Sequence, residues 1–488
     1  MNVWVEDRMC TSTSLATTPG YVTSVMCPAG TQCTLRYCAV DPVQRWLGVE
    51  NRTEGNTMVK VWRQIQENHV EEYLQCKDLY TTLLMTVLKP GGIVSVLGHT
   101  FQAPPPPREL PSARLLRHAF LLAEANNVQD YRSQILSTLG TVLKMDSTKK
   151  VVKKLSGEGA GSVEWFTSIG NEHSQIVSFV LTCEESAEKL QPMCLGVMNR
   201  FRLANQPVPK ILYVDSGCCR AQGRTAVETL FQPWVDNGMV VRLDIFHWIH
   251  RFDAAIRTES HSKYAMFKSV LAGAVLVYNR TDLELLIKAV RAKDLPALKC
   301  VSDEDVVCRY ISREQLKHHV RRVTLGVQET FRLVHLAIEE LKGPTGLDEN
   351  GVSLFKTPGV FTEAIDEMWA AQQRHLECIQ DPPDMNMYRV ARSTTINNVD
   401  VPYYKCLRGN NSLEGFHKTL PNMIPGPHCA ARPYQVYLIS GIARWNSDRT
   451  SDAVFGGRGR HHRICSAPLH PLSAAVRGVC GGELPGPC

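Results

Sequence analysis

The chain has 488 residues, of which 44% are hydrophobic and 21% charged, so it can form roughly two to four globular domains and is too apolar for an intrinsically disordered protein. Its net charge of +6 permits nucleic-acid binding without requiring it, because a local basic patch matters more than the sum. The 17 cysteines form no Cys-x-x-Cys pair, which favours free thiols in a reducing compartment. The start lacks the layout of a signal peptide and no apolar run approaches a membrane span, so we expect a soluble intracellular protein.

The first 140 residues predict an irregular start followed by helices. Residues 1–45 are rich in Cys, Thr, Ser and Gly and predict an irregular segment. Residues 46–103 carry the apolar stripe of a helix over 57–88, which fits the second helix of a truncated helix-turn-helix module that binds DNA. Residues 104–140 begin with four prolines, typical of an extended linker, and continue with a helix over 112–126 and another helix after it.

Residues 141–254 predict an α/β unit with five strands. Three strands come first, over 141–145, 163–169 and 175–182, and a helix, strand, helix and strand follow over 184–203, 210–214, 224–234 and 239–245. A doubly wound dinucleotide fold would alternate strand and helix from its start. The initial meander instead favours the mixed five-stranded sheet of the ribonuclease H (RNase H)-like fold, in which the first and fourth strands are neighbours.

The rest of the chain predicts helices and a flexible end. Residues 255–405 show helical stripes and predict an all-helical insertion into the α/β unit. Residues 406–451 predict the helical part of the catalytic core that follows the insertion. Residues 452–488 are rich in Gly, Pro, Arg and His and predict a flexible basic tail.

Three acidic residues occupy positions suited to one metal site. Asp146 and Asp215 each follow an apolar strand, and Glu414 lies on the helix after the insertion. Carboxylates suit Mg²⁺ or Mn²⁺, and two such ions can activate an attacking oxygen and stabilise the leaving oxygen of a phosphodiester. We therefore predict that Asp146, Asp215 and Glu414 are catalytic and bind Mg²⁺ (or Mn²⁺), although any one acid alone is more often a solvated strand end or cap.

A further motif makes the chain resemble a known family. Asp244 and His247, at the end of the fifth strand, match the Cys-or-Asp, two residues, His motif of the DDE transposases that include Mutator-like, Kolobok, hAT and P elements. The block around Glu414 looks like the family's segment around its catalytic glutamate. The resemblance covers residues from about 140 to about 450 and is nearest to Mutator-like elements and to transposon-derived proteins of fish genomes.

This resemblance implies an RNase H-like domain that cleaves and joins DNA strands with Mg²⁺. It also implies a nuclear location, DNA (transposon ends or target) as the partner, a homo-oligomer, and auxiliary roles for Asp244 and His247. Two alternatives share the same residues: a catalytically inactive transposon-derived protein that binds DNA or partners, and an RNase H-like nuclease without strand transfer. The sequence has no Walker A loop, so no nucleotide cofactor is implied.

Several basic residues are candidate DNA contacts, since cations near an acidic nuclease site can neutralise phosphates. They are Lys149, Lys150, Lys153, Lys154 and Arg408. A solvated loop explains the four lysines equally well.

Other clusters favour ordinary structural roles. Cys218 and Cys219 with His247 and His250 could be drawn as a zinc site, but adjacent cysteines rarely share one ion. Glu414 and His417 have the Glu-x-x-His spacing of di-iron bundles without the expected partner motif. Three N-terminal cysteines are too unevenly spaced to favour zinc, namely Cys27, Cys33 and Cys38.

Overall fold

The computed structural model describes residues 24–26, 32–34, 57–87, 110–293, 300–356, 364–383 and 385–455. The strands are β1 Ser24–Met26, β2 Gln32–Thr34, β3 Val142–Thr148, β4 Leu155–Ser156, β5 Trp165–Gly170, β6 Ile176–Thr182, β7 Ile211–Val214, β8 Val240–Leu243, β9 Leu276–Tyr278, β10 Arg322–Thr324, β11 Tyr388–Ile396, β12 Val399–Cys406 and β13 Cys429–Ala430. The helices are α1 Met58–Val87, α2 Ala113–Asn126, α3 Val128–Leu136, α4 Ala187–Leu203, α5 Ala226–Leu230, α6 Gln232–Val235, α7 Ile245–Arg251, α8 Tyr264–Val275, α9 Arg280–Arg291, α10 Asp303–Tyr310, α11 Arg313–His319, α12 Val327–Lys342, α13 Ala364–Gln373, α14 Asn411–Met423 and α15 Ala431–Phe455.

A mixed five-stranded sheet forms the centre of the fold, in the order β6-β5-β3-β7-β8. The neighbours β6, β5 and β3 run antiparallel, whereas β3, β7 and β8 run parallel. The α/β class and the five predicted strands are therefore confirmed. All four residues of β7 are buried, as expected for a central parallel strand with both faces covered.

The register between β3 and β7 fixes where two of the predicted acids lie. Val142 pairs with Ile211, and Lys144 pairs with Tyr213. Because the pairing is parallel, the same register continued by two residues brings Asp146 level with Asp215. Neighbouring strands are about 4.8 Å apart, so these two acids share one edge region of the sheet.

Two hydrophobic cores cover the two faces of the sheet. Leu143 and Met145 of β3 pack into the first core with α4 and with helices of the insertion. Alternate residues of a strand point to opposite faces, so Lys144 and Asp146 face the other side. There the second core joins Phe166 of β5 to α1, α2, α14 and α15. Asp146 therefore lies on the face that α14 covers.

The segment 255–405 is not all-helical, so that prediction is wrong. It contains two antiparallel two-stranded sheets: β9 pairs with β10 across the intervening helices α9 to α11, and β11 and β12 form a hairpin. The turn between β11 and β12 is the pair Asn397-Asn398, both with positive φ, as a two-residue type I′ turn requires. The hairpin packs on α9 and α11 in a core that includes Leu286 and Val401.

Between residues 57 and 136, the described residues are mostly helical. The predicted helices over 57–88 and 112–126 are observed as α1 and α2, and Ser112 caps α2 by accepting from the Leu115 backbone N–H at 3.3 Å. The predicted proline linker at 104–107 and the tail beyond 455 lie outside the described residues. Within the described ranges, no helix is long and apolar enough to cross a membrane.

Candidate metal and nuclease site

Asp146 lies inside β3, opposite Ser168 of β5, and is 5% exposed. Its Oδ1 accepts a hydrogen bond from the backbone N–H of Ser147 at 2.8 Å. Its Oδ2 is buried without a hydrogen-bond donor. The His417 Nδ1 atom is 3.3 Å from this oxygen, but the orientation of the ring makes this an electrostatic contact and not a hydrogen bond. A buried carboxylate oxygen without a donor suits a bound cation, since leaving it unmatched is costly.

Glu414 reaches the same place from the first turn of α14. Its Oε1 lies 3.2 Å from His247 Nε2. The hydrogen bond from His247 lowers the pKa of Glu414, although partial burial acts in the opposite direction. Asp146, His247 and Glu414 each offer a ligand atom, and these atoms all lie within 4.8 Å of one another. This group could hold a metal ion.

Asp244 fixes the orientation of His247. The Asp244 side chain caps α7 by accepting from the His247 backbone N–H at 3.0 Å, and the same Oδ2 accepts from His247 Nδ1 at 2.9 Å. Burial lowers the pKa of His247, but hydrogen bonds to Asp244 and Glu414 outweigh it and raise the pKa to about 10. His247 is therefore an imidazolium at neutral pH, held between two carboxylates.

A tight turn before α14 brings the Glu414 helix against Asp244. The Asp244 Oδ1 atom accepts from the backbone N–H of Asn410 at 2.9 Å. Gly409 has a φ of +75°, and a Cβ atom there would lie 2.5 Å from Asp244 Oδ1. Glycine is therefore required for both the backbone conformation and the close approach.

Asp215 lies directly after β7, and its carboxylate is outside the group formed by Asp146, His247 and Glu414. Its Oδ1 accepts from the hydroxyl of Ser216 at 3.0 Å. The guanidinium of Arg251 donates to the Asp215 carbonyl oxygen at 2.8 Å. The structure thus brings Asp146, Glu414, Asp244 and His247 into contact and places Asp215 on the neighbouring strand end, with its carboxylate outside the group.

Glu185 is a further acid that the sequence did not single out. Burial is the main cause of its raised pKa, and the negative charges of Asp215 and Asp146 add to it, while a hydrogen bond with Ser147 opposes it. Glu185 therefore lies close enough to both aspartates for their negative charges to raise its pKa. Glu185 precedes α4 and belongs to no recognisable sequence motif. Its proximity to Asp146 and Asp215 is therefore evident only from the folded structure.

His417 and Lys144 are two more buried polar residues at the site. His417 is 2% exposed and its Nε2 lies 2.9 Å from Ser168 Oγ. His417 follows Glu414 by three residues, so both lie on one face of α14. The sequence suggested only a di-iron pattern for this spacing, and that pattern lacked its partner motif. Lys144 donates to Ser412 Oγ at 3.0 Å, and burial lowers its pKa to about 8.

The four lysines that are candidate DNA contacts have three different environments. Lys150 and Lys153 are exposed. Lys149 is also exposed, but pairs with Glu164 at 3.1 Å. Lys154 donates to the carbonyl oxygens of Pro421 and Ile424 at 2.6 and 2.7 Å, so it caps the end of α14.

Arg408 is turned into the protein, which corrects its interpretation as a DNA contact. Its side chain is 6% exposed. Its guanidinium donates to both carboxylate oxygens of Asp381, at 2.7 and 2.6 Å. A bidentate pair of this kind leaves no free edge for a phosphate, so Arg408 has a structural role.

The zinc set drawn from Cys218, Cys219, His247 and His250 is not assembled. His247 is bound by Asp244 and Glu414, and His250 Nδ1 lies 2.8 Å from Asp253. The two cysteines lie instead beside His375 and Cys378.

No protein-family model matches the chain. No curated protein shows significant similarity to it. The assignment of function therefore depends on the geometry of the site.

Proposed function

We propose that the chain is a DDE transposase-like protein that cleaves and transfers DNA strands with Mg²⁺ (or Mn²⁺). One observation carries this proposal: Asp146 on β3 and Glu414 on the helix that follows the 255–405 insertion meet beside the strand end that bears Asp215. The sheet order β6-β5-β3-β7-β8 supports an RNase H-like fold, since a meander of three strands is followed by two parallel strands.

The donor chemistry supports a hard divalent cation. Asp146 and Glu414 offer carboxylate oxygens, and Asp146 Oδ2 has no hydrogen-bond donor. Within the described part of the chain, the Asp215 carboxylate is hydrogen-bonded to the neighbouring Ser216 alone, so no contact with another segment prevents it from joining the two acids when cations bind. Two cations bound by these acids would activate the attacking oxygen and stabilise the leaving oxygen of a phosphodiester.

The remaining residues hold the acids in place. The imidazolium of His247 lies between Asp244 and Glu414, so it fixes the Glu414 carboxylate and offsets part of the acidic charge. Asp244 also binds the backbone of Asn410, so it ties the Glu414 helix to the end of β8. His417 approaches Asp146 from α14 and is itself held by Ser168. The exposed Lys150 and Lys153 follow β3 and are available to neutralise phosphates.

Cleavage of DNA by the full-length protein tests the proposal. Supercoiled plasmid is incubated with the protein and Mg²⁺, Mn²⁺ or a chelator, and nicked, linear and joined products are separated on gels. We expect metal-dependent nicking that Asp146→Asn, Asp215→Asn and Glu414→Gln each abolish. Asp236→Asn is the matched control, because Asp236 is an exposed acid that pairs with Arg224 before β8, away from the acid cluster.

The outcomes separate the alternatives. Joined products support a transposase, whereas nicking without joining supports an RNase H-like nuclease. If the wild-type protein binds DNA but never cleaves it, the chain is a non-catalytic binding protein. Nicking that persists in Asp215→Asn contradicts the three-acid site. The same proposal predicts a nuclear location, which a fluorescent fusion expressed in cells would test, and self-association, which light scattering would test.

A further inference from the structure

We propose that Cys218, Cys219, His375 and Cys378 form a structural zinc site that pins the Asp215 loop to the segment after α13. Each of the four side chains offers one ligand atom, and all four atoms lie within 4.8 Å of one another. Adjacent cysteines rarely share one ion, but here both sulfurs lie 3.2 Å from the same nitrogen of His375, so both can reach one ion. This site is separate from the acid cluster, and it does not depend on the proposed nuclease activity.

The distances approach those of a tetrahedral zinc centre. His375 Nδ1 lies 3.2 Å from Cys218 Sγ and 3.2 Å from Cys219 Sγ, and the two sulfurs are 4.0 Å apart. With Zn–S bonds of about 2.3 Å and Zn–N bonds of about 2.0 Å, a tetrahedral site has ligand atoms about 3.5–3.8 Å apart. The distances among Cys218, Cys219 and His375 therefore differ from the tetrahedral values by only a few tenths of an ångström, and Cys378 lies within 4.8 Å of all three.

The ligand types and their burial favour zinc in a closed site. Three sulfurs and one imidazole nitrogen form a soft donor set, which binds Zn²⁺ in preference to Mg²⁺ or Ca²⁺. Cys218, His375 and Cys378 are 5%, 6% and 5% exposed. Four protein ligands leave no position for water, as in structural and not catalytic zinc sites.

A disulfide does not explain this cluster. Cys218 and Cys219 are adjacent, and their sulfurs are 4.0 Å apart, whereas a disulfide needs about 2.05 Å. Cys218, Cys219 and Cys378 are all free thiols.

The site connects two parts of the protein that meet at Asp215. Cys218 follows Asp215 by three residues, and His375 and Cys378 lie just after α13. The Arg251 guanidinium already joins the same parts, since it donates to the Asp215 carbonyl at 2.8 Å and to Gln372 Oε1 at 3.3 Å. The backbone N–H of Leu243 also donates to the Cys378 carbonyl at 3.0 Å. Zinc would lock this junction and so fix the backbone of Asp215.

Zinc binding has one local consequence for Arg374. A zinc ion on Nδ1 of His375 leaves the ring proton on Nε2. Arg374 Nε lies 3.3 Å from that Nε2 and donates to it, so the two N–H groups would oppose each other. Arg374 is exposed and can turn into solvent.

Metal content of the purified full-length protein tests the site. Zinc per chain is measured by mass spectrometry in wild type, Cys378→Ala and His375→Ala, with Cys194→Ala as the matched control because Cys194 is a buried free thiol outside the cluster. We expect Cys378→Ala and His375→Ala each to lose one zinc per chain and Cys194→Ala to lose none. Folded variants with the zinc content of the control would overturn the proposal.

A second measurement uses only the wild-type protein, in case the variants do not fold. Thiols are alkylated before and after treatment with a zinc chelator, and each cysteine is followed at the peptide level. Cys218, Cys219 and Cys378 should become several-fold more reactive after chelation, whereas Cys194 should not change. Equal reactivity of the three thiols with and without the chelator would also reject the site.

Discussion

Replacing Asp244 by asparagine should disconnect His247 and the Glu414 helix from the end of β8. The carboxylate accepts three hydrogen bonds, two from His247 and one from the Asn410 backbone, and it is 2% exposed. An amide of the same shape offers one oxygen, and its NH₂ group must face at least one N–H donor. Hydrogen bonds to charged groups contribute about 1.5–3 kcal/mol each, so we expect Asp244→Asn to destabilise the protein by about 3 kcal/mol.

The same substitution should lower the pKa of His247. In the wild type this pKa is raised to about 10, in part by Asp244, against about 6.5 in an unfolded chain. A raised histidine pKa stabilises the fold fully below the unfolded value, and this contribution is lost as the pH rises through the folded value. In the wild type it should therefore decline between about pH 6.5 and pH 10, and in Asp244→Asn the decline should end at lower pH.

Two assays test this prediction. Hydrogen–deuterium exchange at the imidazole C2 position, followed by mass spectrometry, gives the titration of His247, and thermal unfolding from pH 6 to pH 10 gives the stability. Asp253→Asn is the control for the titration, because Asp253 pairs with His250 on the same helix and with Lys268, and does not contact His247. An unchanged His247 titration in Asp244→Asn, or an equal shift of that titration in Asp253→Asn, would refute the reasoning.

Three further substitutions test buried contacts near the site, each by thermal or urea unfolding. Lys144→Met should stabilise the protein by about 2 kcal/mol. Burial lowers the pKa of Lys144 to about 8, and each pKa unit corresponds to about 1.4 kcal/mol, from which the lost hydrogen bond to Ser412 is subtracted. A large destabilisation would contradict this. Arg408→Ala should cost about 3–5 kcal/mol, since it leaves the Asp381 carboxylate without its partner, and an unfolding midpoint equal to that of the wild type would show that the pair is not structural. Gly409→Ala should cost more than about 1 kcal/mol through its positive φ and its contact with Asp244, and wild-type stability would argue against that contact.

The sequence was sufficient to predict the sheet and much of the acid cluster. Short apolar runs bounded by turn residues are typical of buried strands, so all five strands were found within a few residues. Strand order then placed Asp146 beside Asp215, and the Asp-x-x-His motif marked a helix start where Asp244 is both the cap and the partner of His247.

Other contacts could not be predicted because they depend on long-range packing. Nothing local distinguishes Glu185 from other exposed acids, and the pairing of Arg408 with Asp381 needs the return of the chain after the β11–β12 hairpin. The sequence signal for that hairpin is a two-residue turn, Asn397-Asn398. It is weak beside the helical stripes earlier in the 255–405 segment, which led to the prediction of helices. The cysteine partners His375 and Cys378 are brought to Cys218 only by the fold.

The position of His247 also bears on which atoms can hold a metal. Its Nδ1 is bound to Asp244 and its Nε2 faces Glu414, so both nitrogens donate while the ring is charged. To offer a lone pair at pH 7, the imidazolium must lose a proton held with a pKa of about 10. A metal bound through His247 would also have to displace its hydrogen bond to Asp244 or its contact with Glu414, a cost that carboxylates do not incur. Oxygen atoms of Asp146, Glu414 and Asp215 are therefore the favoured ligands, and His247 acts by positioning Glu414.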